Sequence, residues 1–134
     1  MSGEKDLKTL LATMKAELQQ GEFVSVSVSD DTEIPEDKIL MKFREKEGIT
    51  LIITKQVAME LHLSYEYVAA WINLKVHSAL DAVGFTAAFS NQLASHNISC
   101  NVVSGIYKDH IFVDVEKGEV AVRILHDFSE SLKS

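Results

Sequence analysis

Between residues 71 and 115 the apolar pattern switches from alternation to helical spacing and back to alternation, and this succession constrains the fold more than any other feature. Ile72, Leu74 and Val76 alternate with Asn73, Lys75 and His77, the pattern of a strand with one face on a core. After a polar loop, Phe85, Ala88, Phe89 and Leu93 recur at helical spacing, placing two rings and a leucine on one face. Ser78 and Asp81 precede this helix as candidate caps, and Asn97 follows it as a residue able to end it in the left-handed conformation. Ile98, Cys100 and Val102 then alternate as a second strand, residues 104–109 (SGIYKD) supply a turn, and Ile111, Val113 and Val115 form a third. A last helical stripe runs through Val120, Ala121, Ile124, Leu125 and Phe128.

Strand, helix, strand, hairpin partner and helix begin a split βαβ, or ferredoxin-like, unit whose third strand lies between the first two. The fourth strand of such a unit is not legible after the last helix. The open edge is therefore expected to be exposed, paired with a partner chain, or completed by the N-terminal half.

The N-terminal half resembles a degenerate copy of the same element order. Leu7, Leu10, Leu11, Met14 and Leu18 predict a helix of about four turns closed by Gly21. Val24, Val26 and Val28 alternate as a strand, and residues 29–38 (SDDTEIPEDK) read as an acidic solvated loop. Residues 39–47 are ambiguous between strand and helical turn, whereas residues 49–54 form an apolar strand leading into a short helix around residues 55–61. The expected class is α+β: antiparallel sheets with helices on one face, in an N-terminal module at residues 1–67 and a C-terminal module at 68–134.

The run VHSALDAVGFTAAFSNQLASHNISCNVVSGIYKDHIFVDV closely resembles the C-terminal module of a family of small bacterial proteins with two tandem ACT-like domains, and MKFREKEGITLIITKQVAMEL resembles its N-terminal module. The resemblance implies a regulatory unit of the kind attached to aspartate kinase, usually binding an amino acid. No catalytic segment accompanies these modules, so the expectation is a sensor that is not an enzyme and needs no cofactor.

Composition narrows the partners. A formal net charge of −7 with scattered Lys and Arg opposes nucleic-acid binding, which needs clustered cations against phosphate. No apolar run reaches the ~20 residues a membrane span needs. One cysteine forms no internal disulfide, and the opening MSGEKDLK has no apolar signal-peptide core, so the expected compartment is the cytoplasm.

Within a sensor, residues 77–86 are the candidate ligand loop. Backbone N–H groups at a helix start are unpaired and carry positive partial charge, so Gly84, Phe85 and Thr86 are placed to receive an α-carboxylate, with His77, Ser78 and Val83 beside them. Asp81 or Asp109 would face the α-ammonium. In the ACT family the corresponding loop and the second strand of a neighbouring module line the pocket, which by resemblance adds Asn101, Val103 and Ser104. Structural roles compete at each position: Gly84 for a turn, Asp81 for a cap, and Phe85 for the core.

Catalytic and metal readings are weaker. Hairpin pairing would set His110 opposite Val103, leaving Cys100 about 10 Å along its strand. His77, Asp81, Asp109 and His110 match no zinc or calcium spacing. A small-molecule sensor acting through assembly or an unidentified protein target thus stands beside an oligomerisation module without ligand; either is expected to form a homodimer or higher homo-oligomer.

Overall fold

The computed structural model describes residues 6–76 and 78–133. In chain order the elements are α1 (Leu7–Thr13), β1 (Lys15–Leu18), β2 (Phe23–Val28), a 3-10 turn (Glu36–Lys38), β3 (Met41–Glu45), β4 (Gly48–Thr54), α2 (Lys55–Glu60), β5 (Val68–Lys75), α3 (Phe85–Ser95), β6 (Asn101–Ser104), β7 (Asp109–Asp114), a 3-10 turn (Val115–Lys117) and α4 (Gly118–Ser131). They divide into two compact units, one made of the chain through Gln20 together with Ala70 onward, the other of Gly21–Ala69. This division in space differs from a cut of the chain after residue 67.

In the larger unit β5 is flanked by β1 on one side and by β7 on the other, with β6 beyond β7. Numbered by its position after β5, this is the 4-1-3-2 order of a ferredoxin-like fold, and the fourth strand is β1. Its register sets Lys15 opposite Lys75, Ala16 opposite Leu74, Glu17 opposite Asn73 and Leu18 opposite Ile72. The edge left open by residues 71–131 is therefore closed by the chain's own N-terminal segment. The predicted helix is correspondingly shorter: Asp6 caps it by accepting from the Thr9 N–H, and Met14 leaves it in extended conformation. Residues 15–18 favour a helix by composition, but pairing along β5 overrides that preference.

Alternation sends Ala70, Ile72 and Leu74 of β5 and Ile111 and Val113 of β7 to one side of this sheet, where they meet Phe85, Phe89 and Leu93 of α3, Leu10 and Leu11 of α1, and Ala121 and Leu125 of α4. The rings of Phe85 and Phe89 meet edge to face at 5.1 Å. Gly118 starts α4 so close to the sheet that a Cβ there would lie 3.0 Å from both Ala70 Cβ and Leu18 Cδ1. Of the expected stripe, Val120 turns outward.

The α3 terminus agrees with the sequence reading. Asn97 has φ 61°, and the N–H groups of Asn97 and Ile98 donate to the carbonyls of Ala94 and Leu93, a Schellman closure. Ile98 is consumed by that closure, so β6 begins at Asn101 rather than at Ile98.

In the smaller unit the first residues of β5 pair with β2, β2 with β4, and β4 with β3, again in 4-1-3-2 order. Within the ambiguous residues 39–47, Met41–Glu45 form β3, which pairs with β4. The acidic loop and its 3-10 turn stand where the first helix of the module would be. Ile34 from that loop joins Val24, Val26, Leu51, Ile53, Val57 and Ala58 in a separate core. Lys42 bridges Asp31 and Glu36, tying the loop to the edge strand β3.

Candidate ligand site at the Gly84 loop

β5 ends in irregular backbone: the Ser78 N–H donates to the Val76 carbonyl and the Ala82 N–H to that of Ala79. Gly84 then serves as N-cap of α3 with φ 94°, a left-handed value that an L side chain adopts only under strain, and no side chain caps the helix. A Cβ at Gly84 would also lie 3.3 Å from Leu7 Cδ2. The Ala88 N–H bonds to the Gly84 carbonyl, so the N–H groups of Phe85, Thr86 and Ala87 are those that the helix leaves over at its start. They carry the positive end of the helix dipole.

Around this end Val83 is 85% exposed, and Asp81 and Thr86 are also exposed. Neither Ser78 nor Asp81 is the side-chain cap that the sequence invited; Gly84 takes that position by backbone conformation. Phe85 is buried, so only its N–H is available to a ligand. His77 lies outside the described residues.

The hairpin candidates separate by face. Val102 opposite Ile111 belongs to the helix-covered side, and Ser104 opposite Asp109 shares it by parity. Asn101 opposite Phe112 and Val103 opposite His110 lie on the other side. Within this unit, therefore, the sheet stands between Asn101 or Val103 and the start of α3. Asp109 is only 6% exposed. Burial raises the pKa of its carboxyl, while a hydrogen bond to Ser104 and the adjacent His110 oppose the rise.

The helix-free side of the same sheet carries a cluster that the sequence reading did not assemble. Trp71 Nε1–H donates to His110 Nδ1 at 3.1 Å, and Asn73 Oδ1 lies 3.0 Å from the same nitrogen. Neutral imidazole accepts from Trp71 there; an Nδ1–H would instead donate to Asn73. The Trp71 and Phe112 rings lie nearly parallel, with centroids 6.4 Å apart. Burial lowers the pKa of His110, as does Lys108, while Asp109 opposes them. Shared parity of Trp71 with Asn73 and of His110 with Phe112 was the available signal; only the β5–β7 pairing joins the two.

Cys100 and His110 do not form a nucleophile and base, because the register puts Val103 opposite His110. Burial also pushes the Cys100 thiol up to about 11. Among the described residues no group of three or more His, Cys, Asp or Glu converges as a metal site.

The tandem ferredoxin-like order and the glycine-led helix start fit one class of protein. An ACT domain model matches residues 2–70 and a second ACT domain model matches residues 66–127, and the chain belongs to this family. ACT domains are typically ligand-binding regulatory modules.

Among solved structures, a Vibrio cholerae protein of unknown function, described as a possible transport protein, is 40% identical with a TM-score of 0.83, covering 93% of this chain and 97% of that one. An Agrobacterium tumefaciens protein shares the fold at 16% identity and a TM-score of 0.69, over 87% of this chain and 89% of that one. The regulatory subunit of aspartate kinase from Thermus thermophilus does so at 12% identity and a TM-score of 0.59, over 84% and 96% of the two chains. No curated protein matches by sequence. No helix among the described residues is long and apolar enough to cross a membrane.

Proposed function

We propose that this protein is a non-catalytic cytoplasmic sensor in which the module at residues 68–134, completed by β1, binds an amino acid at the Gly84 loop. The observation that carries the reading is the start of α3: a left-handed glycine, no side-chain cap, and three successive N–H groups beside an exposed loop. An α-carboxylate seated there gains hydrogen bonds and the field of the helix dipole. The α-ammonium takes Asp81 from the same loop, or Asp109, whose buried carboxyl would ionise more readily beside a cation. Asn101 and Val103, on the far side of the sheet, reach a ligand only from another copy, which is consistent with a homo-oligomeric sensor. Ligand binding then acts by favouring one assembly state or one contact with a protein target.

The test is a thermal-unfolding screen against the standard amino acids, followed by calorimetry on variants. Saturation at about 100 times Kd adds roughly 2.7 kcal/mol to native-state stability. Gly84→Val is expected to abolish binding. Thr86→Glu places a carboxylate where the ligand's would sit, while the same helix dipole favours it, so it is expected to bind at least ten times more weakly with its unfolding midpoint undiminished. Wild-type affinity in Thr86→Glu, or no response to any amino acid, overturns the reading.

A further inference from the structure

On the helix-free side of the larger unit, one nitrogen stands between two groups of opposite kind. His110 Nδ1 lies 3.1 Å from the Trp71 indole nitrogen, a donor, and 3.0 Å from Asn73 Oδ1, an acceptor. An imidazole nitrogen either accepts or donates, so it satisfies one of these neighbours at a time. Bare, it accepts from Trp71 and turns its lone pair toward the Asn73 oxygen. Protonated, it donates to Asn73, and the indole N–H then faces another donor. Trp71 and Asn73 sit two residues apart on one face of β5, so the exchange of partners needs no shift of strand register.

The surroundings give this exchange a consequence. Gly105 in the hairpin turn lies against the other side of the ring, where a Cβ would stand 3.5 Å from His110 Nε2. The Trp71 ring lies within 16° of parallel to that of Phe112, which is only 6% exposed although no helix covers this side. Opposite Phe112 on β6 stands the polar Asn101, whereas Trp71 supplies an apolar ring.

Charges around His110 come from several elements. Burial and Lys108 oppose its protonation, and Asp109 favours it. Tyr107 is in the same turn, and Asp114 shares the face on β7 by parity. From β5 comes Lys75, paired with Glu17 of β1 at 3.5 Å, with Lys15 opposite Lys75. The residues of β6 carry no titratable side chain.

We propose that His110 is a proton-operated latch: the neutral ring holds the Trp71 indole beside Phe112, and the imidazolium turns its Nδ1–H to the Asn73 carbonyl and releases the indole, uncovering Phe112. A released indole N–H regains a hydrogen bond from water. Acidification thereby changes the apolar surface of this face, while the start of α3 lies across the sheet from it.

The test titrates the full chain by NMR from about pH 8 to about pH 5, where histidine changes charge, with no amino acid present. It follows the His110 ring protons and the indole N–H of Trp71, the single tryptophan. Below the His110 midpoint the indole protection factor against hydrogen exchange should fall at least tenfold, and acrylamide should quench Trp71 at least twice as effectively. Asn73→Leu removes the acceptor and should move the His110 and Trp71 midpoints down together by at least half a pH unit. His110→Gln, which has no titrating ring, should leave indole protection independent of pH. An unchanged or raised midpoint in Asn73→Leu, the result if Asn73 turned its amide N–H toward a neutral ring, overturns the proposal. So does a wild-type indole that keeps its protection while His110 titrates, an outcome that requires no variant to fold.

Discussion

Leu10→Ala tests whether the N-terminal segment is built into the core of the larger unit, which resumes in the chain only at Ala70, or merely rests on it. Leu10 is 0% exposed and packs in the core that also holds Leu74, Phe85 and Phe89. Truncation removes three carbons, about 2.4 kcal/mol of transfer free energy at ~0.8 kcal/mol each. The cavity left among residues of α3 and β5 raises the loss to about 3–4 kcal/mol, because a close-packed site relaxes only in part. With a urea dependence of roughly 2 kcal/mol per molar, the midpoint should fall by about 1.5–2 M. The single tryptophan, Trp71 on β5, reports the transition by its emission. Leu7→Ala is the matched control: Leu7 is 37% exposed, and its loss should stay below about 1 kcal/mol. A midpoint shift under about 0.3 M for Leu10→Ala would refute the placement of α1 in the core and, with it, β1 as the fourth strand.

His110 and Cys100 give two further expectations. The folded-state pKa of His110 lies below its ordinary value of 6.5, so its contribution to stability is fully present above about pH 6.5 and is lost as pH falls toward the lower folded value. Trp71 emission should change over the same interval as Nδ1 ceases to accept from the indole, and His110→Phe should flatten that change; an unaltered pH profile in the variant would count against the pairing. For Cys100, burial moves the thiol from 9.0 to about 11, so the native thiolate population is about 100-fold smaller at neutral pH. Iodoacetamide labelling followed by mass spectrometry should be slower in the native than in the urea-unfolded protein by at least that factor, and equal rates would contradict its burial.

Elements whose signals are local were readable from the chain. The stripe of Phe85, Phe89 and Leu93 and the left-handed Asn97 foretold α3 and its end, because helical spacing and a positive φ express preferences of neighbouring residues. The turn at Ile106 and Tyr107 set Val103 opposite His110 as expected, since a hairpin fixes its own register. Residues 15–18 were misread because nothing nearby distinguishes a strand from the end of an amphipathic helix. Their partners lie at residues 72–75, and only that pairing decides between the two.

The candidate site divides along the same line. Gly84 and the helix start after it were visible in the sequence, since a glycine between a polar loop and an apolar helical stripe is a local sign. Alternation could place Asn101 and Val103 on one face of a strand and Ser104 on the other, but it could not say which face the helices cover. Nor could it bring Trp71 and Asn73 to His110. The sequence by itself determined the elements with short-range periodicity, the helix-start chemistry and the family; tertiary structure decided the fourth strand, the faces and the cluster at His110, because these depend on pairings between segments far apart in the chain.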